Sequence, residues 1–410
     1  MAESQTKTFW LINQYASMPE TGMGGRHYYL AKELAKQGHK VYLIAAGFTH
    51  LLREPPKLEQ DFTVQPVAEN FDFVWIKMPE YIDAHDKKRV LNWFRFAWKL
   101  LKLPKVIADK PDAILFSSPS LIPFLGAQRL AKKFNAKLAF EVRDIWPLTL
   151  IELGGYSPSH PFIRLMQWVE DKAYRDSDVV LSNLPNSVEH MVERGMNPNK
   201  FTWIPNGFDM AELDNAQPLN ENAVSALPKD KFIVGYTGTL GVANALDTLI
   251  EAAEGLKDET DIAFVLVGGG KEKPGLVEKA KGLKNVMFID PIPKPQIQSM
   301  LGEFDVCYIG LTKDPLFRFG VSPNKLFDYL LSAKPILYGI ESGEYLPVND
   351  AQAGLSIPSE NPKAIAEAVL KLKAMSTQER TELGQNGRNY AIQNHDYAKL
   401  AEKLAKVLSE

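Results

Sequence analysis

Phe9-Trp10-Leu11-Ile12, then Thr21-Gly22-Met23-Gly24-Gly25-Arg26, then a stretch with Tyr29, Leu30 and Leu34 on one helical face, then Gly38-His39-Lys40-Val41, spell one strand, loop, helix and second strand. A short apolar run bounded by turn residues reads as a strand. Spacing of three and four reads as a helix, and Gly38 suits the left-handed residue that ends it. Strands joined through a helix lie parallel. Outward from this unit the alternation continues, with strands expected near 8–13, 40–46, 72–78, 112–117, 137–143, 178–183 and 201–204. From Asn206 to Lys231 the chain is rich in Asn, Asp, Pro and Ala and loses its periodicity, which reads as a linker. A second series follows near 232–237, 262–267, 285–289, 304–309, 335–339 and 354–357, with helices at Ala243–Gly255, Pro295–Gly302 and Pro323–Ser332. This predicts an α/β chain of two Rossmann-like domains, residues 1–205 and 206–394. A last helix, from Tyr397 to Leu408 within 395–410, is expected to pack back on the first domain. Ligands of open α/β sheets bind at the carboxyl ends of the strands, so the useful residues are expected in a cleft between the domains.

The composition narrows the function. With 410 residues, 45% hydrophobic and 24% charged, the chain is long and apolar enough for two cores and is not a disordered or membrane-spanning protein. A net charge of −3 argues against a protein that wraps nucleic acid. The one cysteine, Cys307, excludes an internal disulfide and lies in the apolar run Phe304-Asp305-Val306-Cys307-Tyr308-Ile309, so a buried strand thiol in a reducing compartment is expected. No run approaches the ~20 apolar residues of a membrane span, and no address is seen at either end, so a cytoplasmic protein is expected.

Two more glycine-rich strand exits lie in the second series, Tyr236-Thr237-Gly238-Thr239-Leu240-Gly241 and Val267-Gly268-Gly269-Gly270-Lys271. Glycine lets a backbone approach a ligand closely, and the free N–H groups of a helix start favour an anion. For Gly24 and Gly25 a plain turn and a phosphate loop are both open. The spacing is neither the dinucleotide fingerprint nor a P-loop. Two such exits from neighbouring strands suggest a nucleotide or sugar diphosphate. Ser322-Pro323-Asn324-Lys325-Leu326-Phe327-Asp328-Tyr329 is sharper. Ser322 suits an N-cap and Pro323 the first helical position. Lys325 then puts a cation in the first turn, where the helix dipole disfavours it by ~0.3–1 kcal/mol. A bound diphosphate accounts for that choice; an incidental surface lysine is the plain alternative. Asp328, three residues on, shares its face.

These residues resemble the retaining glycosyltransferases of family 4, which have the two-domain GT-B fold. Gly24-Gly25 with Leu30-Ala31-Lys32-Glu33-Leu34, Ile204-Pro205-Asn206-Gly207-Phe208-Asp209, the Tyr236–Gly241 loop, Val267–Gly270 and Asn285-Val286-Met287-Phe288-Ile289 stand in the family's order. Val142-Arg143-Asp144-Ile145-Trp146-Pro147 and Ser322–Phe327 are most similar to bacterial O-antigen and capsule enzymes of the L-fucosamine type. The resemblance implies transfer, with retention, from a UDP-linked donor such as UDP-N-acetyl-L-fucosamine or another N-acetylhexosamine to a glycan on a polyprenyl diphosphate carrier at the inner leaflet of the cytoplasmic membrane. It implies donor contacts at Gly24, Gly25, Gly238, Thr239, Gly270, Lys271, Ile292, Arg318, Ser322, Pro323, Asn324, Lys325 and Asp328, the last on ribose. The chain also departs from the family. The first of two customary glutamates corresponds to Gly320 and the second to Asp328; a customary arginine and lysine correspond to Thr239 and Asn244, and a customary histidine to Arg143. Lys325, the helix start and Arg318 or Lys271 must then stabilise the leaving diphosphate, as oriented donors do in transfer reactions. Arg143, Asp144 and Lys325 are the expected catalytic residues. Asp144 suits either the orientation of a sugar hydroxyl or a charge pair with Arg143.

Asp176-Ser177-Asp178 spells the acidic pattern of metal-dependent transferases, but it falls at a helix-to-strand junction and reads as a solvated turn, so no metal or other cofactor is expected. From Lys87 to Ala108 there are seven basic residues and no acidic one, interleaved with Trp93, Phe94, Phe96 and Trp98. Such a helix suits a membrane interface, with Arg89, Trp93, Arg95, Trp98, Lys99 and Lys102 as the contacts. An ordinary helix with a basic outer face and buried aromatics is the alternative. A UDP-sugar 2-epimerase and a non-catalytic glycan-binding subunit are the competing functions.

Overall fold

A computed structural model of the chain describes residues 6–22, 24–83 and 86–410, so Met23 of the first glycine loop lies outside the described residues. By its contacts the chain divides into two units, residues up to Asn206 with Tyr397–Glu410, and Gly207–Asp396.

The first unit is built on β1 (Thr8–Ile12), β2 (Lys40–Ala46), β3 (Phe62–Ala68), β4 (Phe71–Ile76), β5 (Ala113–Ser117), β6 (Lys137–Val142), β7 (Val179–Ser182) and β8 (Phe201–Trp203). They form one sheet in the order β3-β4-β2-β1-β5-β6-β7-β8. All pairs are parallel except β3 with β4. β3 is not among the strands expected from the sequence. Its residues are exposed or half-exposed, and Pro66 is followed by a register shift. An edge strand tolerates proline, and without a buried face it has no apolar run to betray it. The central strands are buried on both faces, as parallel sheets require.

The helix Tyr397–Ser409 returns to this unit. Its apolar residues Tyr397, Leu400, Ala401, Leu404 and Leu408 recur at helical spacing and join the core shared by the helix Arg26–Lys36 and the strands. Tyr397 stacks on Tyr29 at 5.3 Å, and Lys137 Nζ donates to the carbonyl of Val407 at 2.8 Å.

The second unit holds β9 (Phe232–Thr237), β10 (Ile262–Val267), β11 (Val286–Ile289), β12 (Val306–Gly310), β13 (Ile336–Gly339) and β14 (Gly354–Ser356), all parallel, in the order β11-β10-β9-β12-β13-β14. Three details differ from expectation. The linker contains two short helices, Met210–Asp214 and Glu221–Ala226, because Asp209 and Asn220 cap them through Ala211 N–H and Ala223 N–H. The helix expected from Ala243 begins as a turn, Val242–Asn244, and Ala245 is left-handed with φ 46° before Leu246–Gly255 runs on. The helix expected from Pro295 likewise opens with the turn Lys294–Gln296.

Both sheets reverse their strand order once, at β1/β5 and at β9/β12. Loops at such a switch point diverge and leave a crevice at the strands' carboxyl ends. Leu404 is 1% exposed against the first core. Leu404→Ala is expected to cost ~2–5 kcal/mol by leaving a cavity, read as a lower urea midpoint for the first unit's unfolding.

Candidate functional site

In the second unit the exit of β10 pairs with those of its neighbours β9 and β11. Gly238 N–H donates to Val267 O at 3.0 Å, Leu240 N–H to Gly269 O at 2.8 Å, and Gly268 N–H to Ile289 O at 3.0 Å. A Cβ at Gly268 would stand 1.9 Å from the Gly238 carbonyl oxygen, and one at Gly270 2.3 Å from that of Leu240. These two glycines are therefore required by the contact between the loops themselves, which fixes the shape of the crevice wall. A Cβ at Gly238 would meet Lys325 Cε and Nζ at 3.4 Å and Tyr236 Oη at 3.5 Å, so this glycine lies directly against the lysine's end.

The helix after β12 is Asn324–Leu331, and Pro323, with extended ψ 128°, is its cap residue. The expected cap at Ser322 and first turn at Pro323 are thus each moved one residue on: Pro323 holds extended backbone, and a proline restricts the residue before it as well. Lys325 lies in the first turn, half-buried, with Nζ 2.6 Å from Tyr236 Oη and 2.7 Å from Asn244 Oδ1, and over the Tyr236 ring at 4.3 Å. Both partners are neutral. Burial lowers its ammonium to about 8, whereas a carboxylate partner would have held it up. Asp328 instead pairs with Lys294 at 2.6 Å, and its carbonyl accepts from Gln298 Nε2. Ile292 is half-buried against the core, Lys271 is exposed after Gly270, and Thr239 is exposed. Arg318 lies over the Phe319 ring at 4.3 Å and donates to the Pro315 carbonyl. It lines a depression of about 870 Å³ with Lys313, Glu341 and Asn349.

In the first unit, Gly24 and Gly25 have φ 64° and 86° and open the helix Arg26–Lys36. The residues after them carry a network that the sequence reading missed. Glu141 of β6 is 1% exposed and accepts from Arg26 Nε at 2.8 Å, His27 Nε2 at 2.6 Å and Ser117 Oγ at 2.7 Å. Asn13 Oδ1 accepts from Tyr15 N–H, so its Nδ2 is the donor to His27 Nδ1 at 2.9 Å. This assigns the imidazole proton to Nε2 and makes His27 neutral. Burial lowers the His27 pKa, with Glu141 opposing. Burial works against ionised Glu141, but Arg26 first and then His27 and Ser117 outweigh it and hold the carboxyl well below the usual range. Arg26 also donates to the carbonyls of Ile204 and Pro205, fastening the chain's exit from the sheet to the glycine loop. A carboxylate inside the apolar strand Lys137–Val142 was the available signal, since a buried charge demands partners.

Arg143 donates its N–H to Ser118 Oγ at 2.9 Å, and its buried Nε has no partner among the described residues. Asp144 is exposed, and its carbonyl accepts from Trp146 N–H. Among the described residues no ion pair joins the two. Asp176 accepts from Lys172, Gln128 and Arg175, and Asp178 from Leu138 N–H, so both acidic groups of the Asp-x-Asp string serve their helix and strand. Cys307 is buried, and burial pushes its thiol up to about 12.

The helix Lys87–Leu100 corrects three of the expected membrane contacts. Trp93 is 1% exposed and gives Nε1–H to Tyr15 Oη at 2.9 Å; Arg89 gives Nε–H to the same oxygen at 3.0 Å and lies against the rings of Tyr15, Trp93 and Trp146. Lys99 pairs with Asp61 at 2.8 Å. These side chains turn inward because the helix packs one face on the unit, as its spacing of buried Asn92, Trp93, Phe96 and Leu100 requires. The outer face carries Leu91, Phe94 and Trp98 at 53%, 45% and 66% exposure among Lys87 and Arg95, with exposed Lys102 just past the helix end. No helix of the described residues is long and apolar enough to cross a membrane.

Residues 21–212 match Glycosyltransferase Family 4 and residues 231–375 match Glycosyl transferases group 1. The putative colanic acid biosynthesis glycosyl transferase WcaI of Escherichia coli K12 is 27% identical over 330 residues, 76% of this chain and 77% of that protein. Among solved structures, sucrose-phosphate synthase of Thermosynechococcus elongatus is 17% identical with a TM-score of 0.72 over 98% of both chains. The Anabaena protein HepE in complex with UDP is 16% identical with a TM-score of 0.66, over 98% of this chain and 100% of that one. These two structures are similar in fold.

The buried neutral His27 has a consequence for stability. Its folded pKa is depressed, so its contribution is complete above the unfolded value of about 6.5 and is lost as pH falls, because only the unfolded chain takes up the proton. Urea midpoints of the first unit are expected to fall between pH 7.5 and 5, and His27→Gln to flatten that slope.

Proposed function

Because the chain belongs to the GT-B glycosyltransferases, to family 4 in its first half and to group 1 in its second, we propose that it transfers a sugar, with retention, from a UDP-linked donor to a lipid-linked saccharide in bacterial surface-polysaccharide synthesis. The observation that carries this reading is Lys325: a half-buried ammonium whose partners are neutral, at the switch point of a parallel sheet, beside a glycine that leaves room for it. Such a group awaits an anion. A leaving nucleoside diphosphate supplies one, and the amides at Asn324 and Lys325 add donors where negative charge develops. HepE in complex with UDP, a structure of the same fold, supports a uridine nucleotide here, and the likeness to WcaI supports a polysaccharide product. N-acetyl-L-fucosamine or another N-acetylhexosamine is the proposed sugar. Asp328, which lies on the Lys325 helix and pairs with Lys294, is assigned to ribose. Asp144, exposed before Trp146, is assigned to a sugar hydroxyl. The proposed reaction uses no metal ion, in keeping with the structural employment of Asp176 and Asp178.

The outer face of the helix Lys87–Leu100 is proposed to rest on anionic lipid, with Leu91, Phe94 and Trp98 at headgroup depth and Lys87, Arg95 and Lys102 beside them. This would bring the enzyme to a carrier lipid.

Lys325→Ala is expected to lower donor turnover by roughly 10²–10³-fold with an unchanged melting profile, while EDTA leaves the parent rate intact. Unchanged donor affinity and turnover in the variant would show that Lys325 does not serve the diphosphate. In flotation, the parent chain is expected to rise with phosphatidylglycerol vesicles and not with phosphatidylcholine vesicles, and Phe94→Ser with Trp98→Ser to stay at the bottom. Equal recovery of parent and variant contradicts the membrane face.

A further inference from the structure

The contacts of Lys325 have a polarity that the diphosphate reading leaves unused. Thr239 offers its carbonyl oxygen to two donors, Tyr236 Oη at 2.7 Å and Asn244 Nδ2 at 3.1 Å. The Tyr236 proton is thereby committed to Thr239, and only lone pairs of its oxygen are left for Lys325. The Asn244 amide is likewise oriented with its nitrogen toward Thr239 and its oxygen toward Lys325. Ammonium is the form of lysine that these two oxygens accept from, at 2.6 and 2.7 Å. The left-handed Ala245, φ 46°, ends the turn that carries Asn244 back toward the Thr239 carbonyl.

We propose that Tyr236 and Asn244 are positioning residues, oriented by the Thr239 carbonyl, that keep Lys325 a cation aimed at the donor, so that a nucleoside diphosphate binds together with a proton wherever the lysine has lost its own. The inference rests on the assignment of Lys325 to the diphosphate and adds which residues prepare it and how binding responds to pH. The groups around the lysine leave the control to these two. The phenol of Tyr236 is pushed well up by burial, as is that of Tyr308 next to it. Asp328 on the lysine's own helix is paired with Lys294. Burial lowers the ammonium, to about 8, and two oxygens that can only accept from it favour its charged form against that pull.

Calorimetric titration with UDP between pH 6.5 and 9 tests this on the full chain. Parent affinity is expected to hold to pH 7 and to fall roughly tenfold per unit beyond the lysine's transition, with proton uptake from buffer at pH 8.5. Tyr236→Phe keeps the buried ring and removes one acceptor. It is expected to bind UDP within about twofold of the parent at pH 6.5 and roughly fivefold more weakly at pH 8, its transition displaced downward by about one unit. Asn244→Asp supplies a carboxylate instead, and is expected to weaken UDP at every pH and to flatten the profile. A uniform loss in Tyr236→Phe at all pH values, or no change at all, overturns the positioning role. Lys325→Met distinguishes the two levels: if it binds UDP like the parent, the diphosphate assignment itself fails, and if it abolishes binding while Tyr236→Phe keeps the parent's profile, only the cage fails.

Discussion

A parallel strand cannot turn directly into its neighbour; the chain must cross over a face of the sheet and re-enter at the same end. Every loop that leaves the carboxyl edge is consequently free to carry chemistry, and where the strand order reverses, two such loops part and leave a crevice. In this chain that happens at β1/β5 and at β9/β12. Asn13, Gly24 and Ser117 follow from the first reversal, Tyr236, Gly238 and Lys325 from the second. The glycine loops, the buried glutamate and the half-buried lysine are placed by this one constraint.

The two units bury charge in opposite ways. Glu141 is satisfied within the protein by Arg26, His27 and Ser117, and breaking such a buried pair is costly because the remaining charge has no water to turn to. It holds Arg26, which fastens the first glycine loop to Ile204 and Pro205. Lys325 has no such closure. Its partners are a phenol oxygen and an amide oxygen, both held in their accepting orientation by one backbone carbonyl. A charge left open at a switch point is a place for a ligand of opposite sign, which is why the transferase reading is anchored there rather than on the more heavily charged network.

Much of this was legible from residue order. The alternation of apolar runs and helical spacing located both sheets, since fully buried parallel strands are continuous apolar segments. Glycine-rich exits and the string Ser322–Asp328 identified the loops of the second site, and Lys325 stood out against the helix dipole. Other features depended on pairings that no local pattern announces. The edge strand β3 lacked an apolar face. Gly268 and Gly270 answer to the carbonyls of Gly238 and Leu240, some thirty residues away, rather than directly to a phosphate. Arg89 and Trp93 share a basic aromatic stretch with Trp98, and only the packing of the helix shows that they turn inward to Tyr15 while Trp98 faces out.

The central claim is that the ammonium of Lys325 meets the leaving diphosphate. A crystal structure of the chain soaked with UDP tests it directly. A β-phosphate oxygen is expected within roughly 3.2 Å of Lys325 Nζ, with Tyr236 and Asn244 still bonded to the same nitrogen. A diphosphate bound elsewhere, with Lys325 touching only its two present partners, would contradict it.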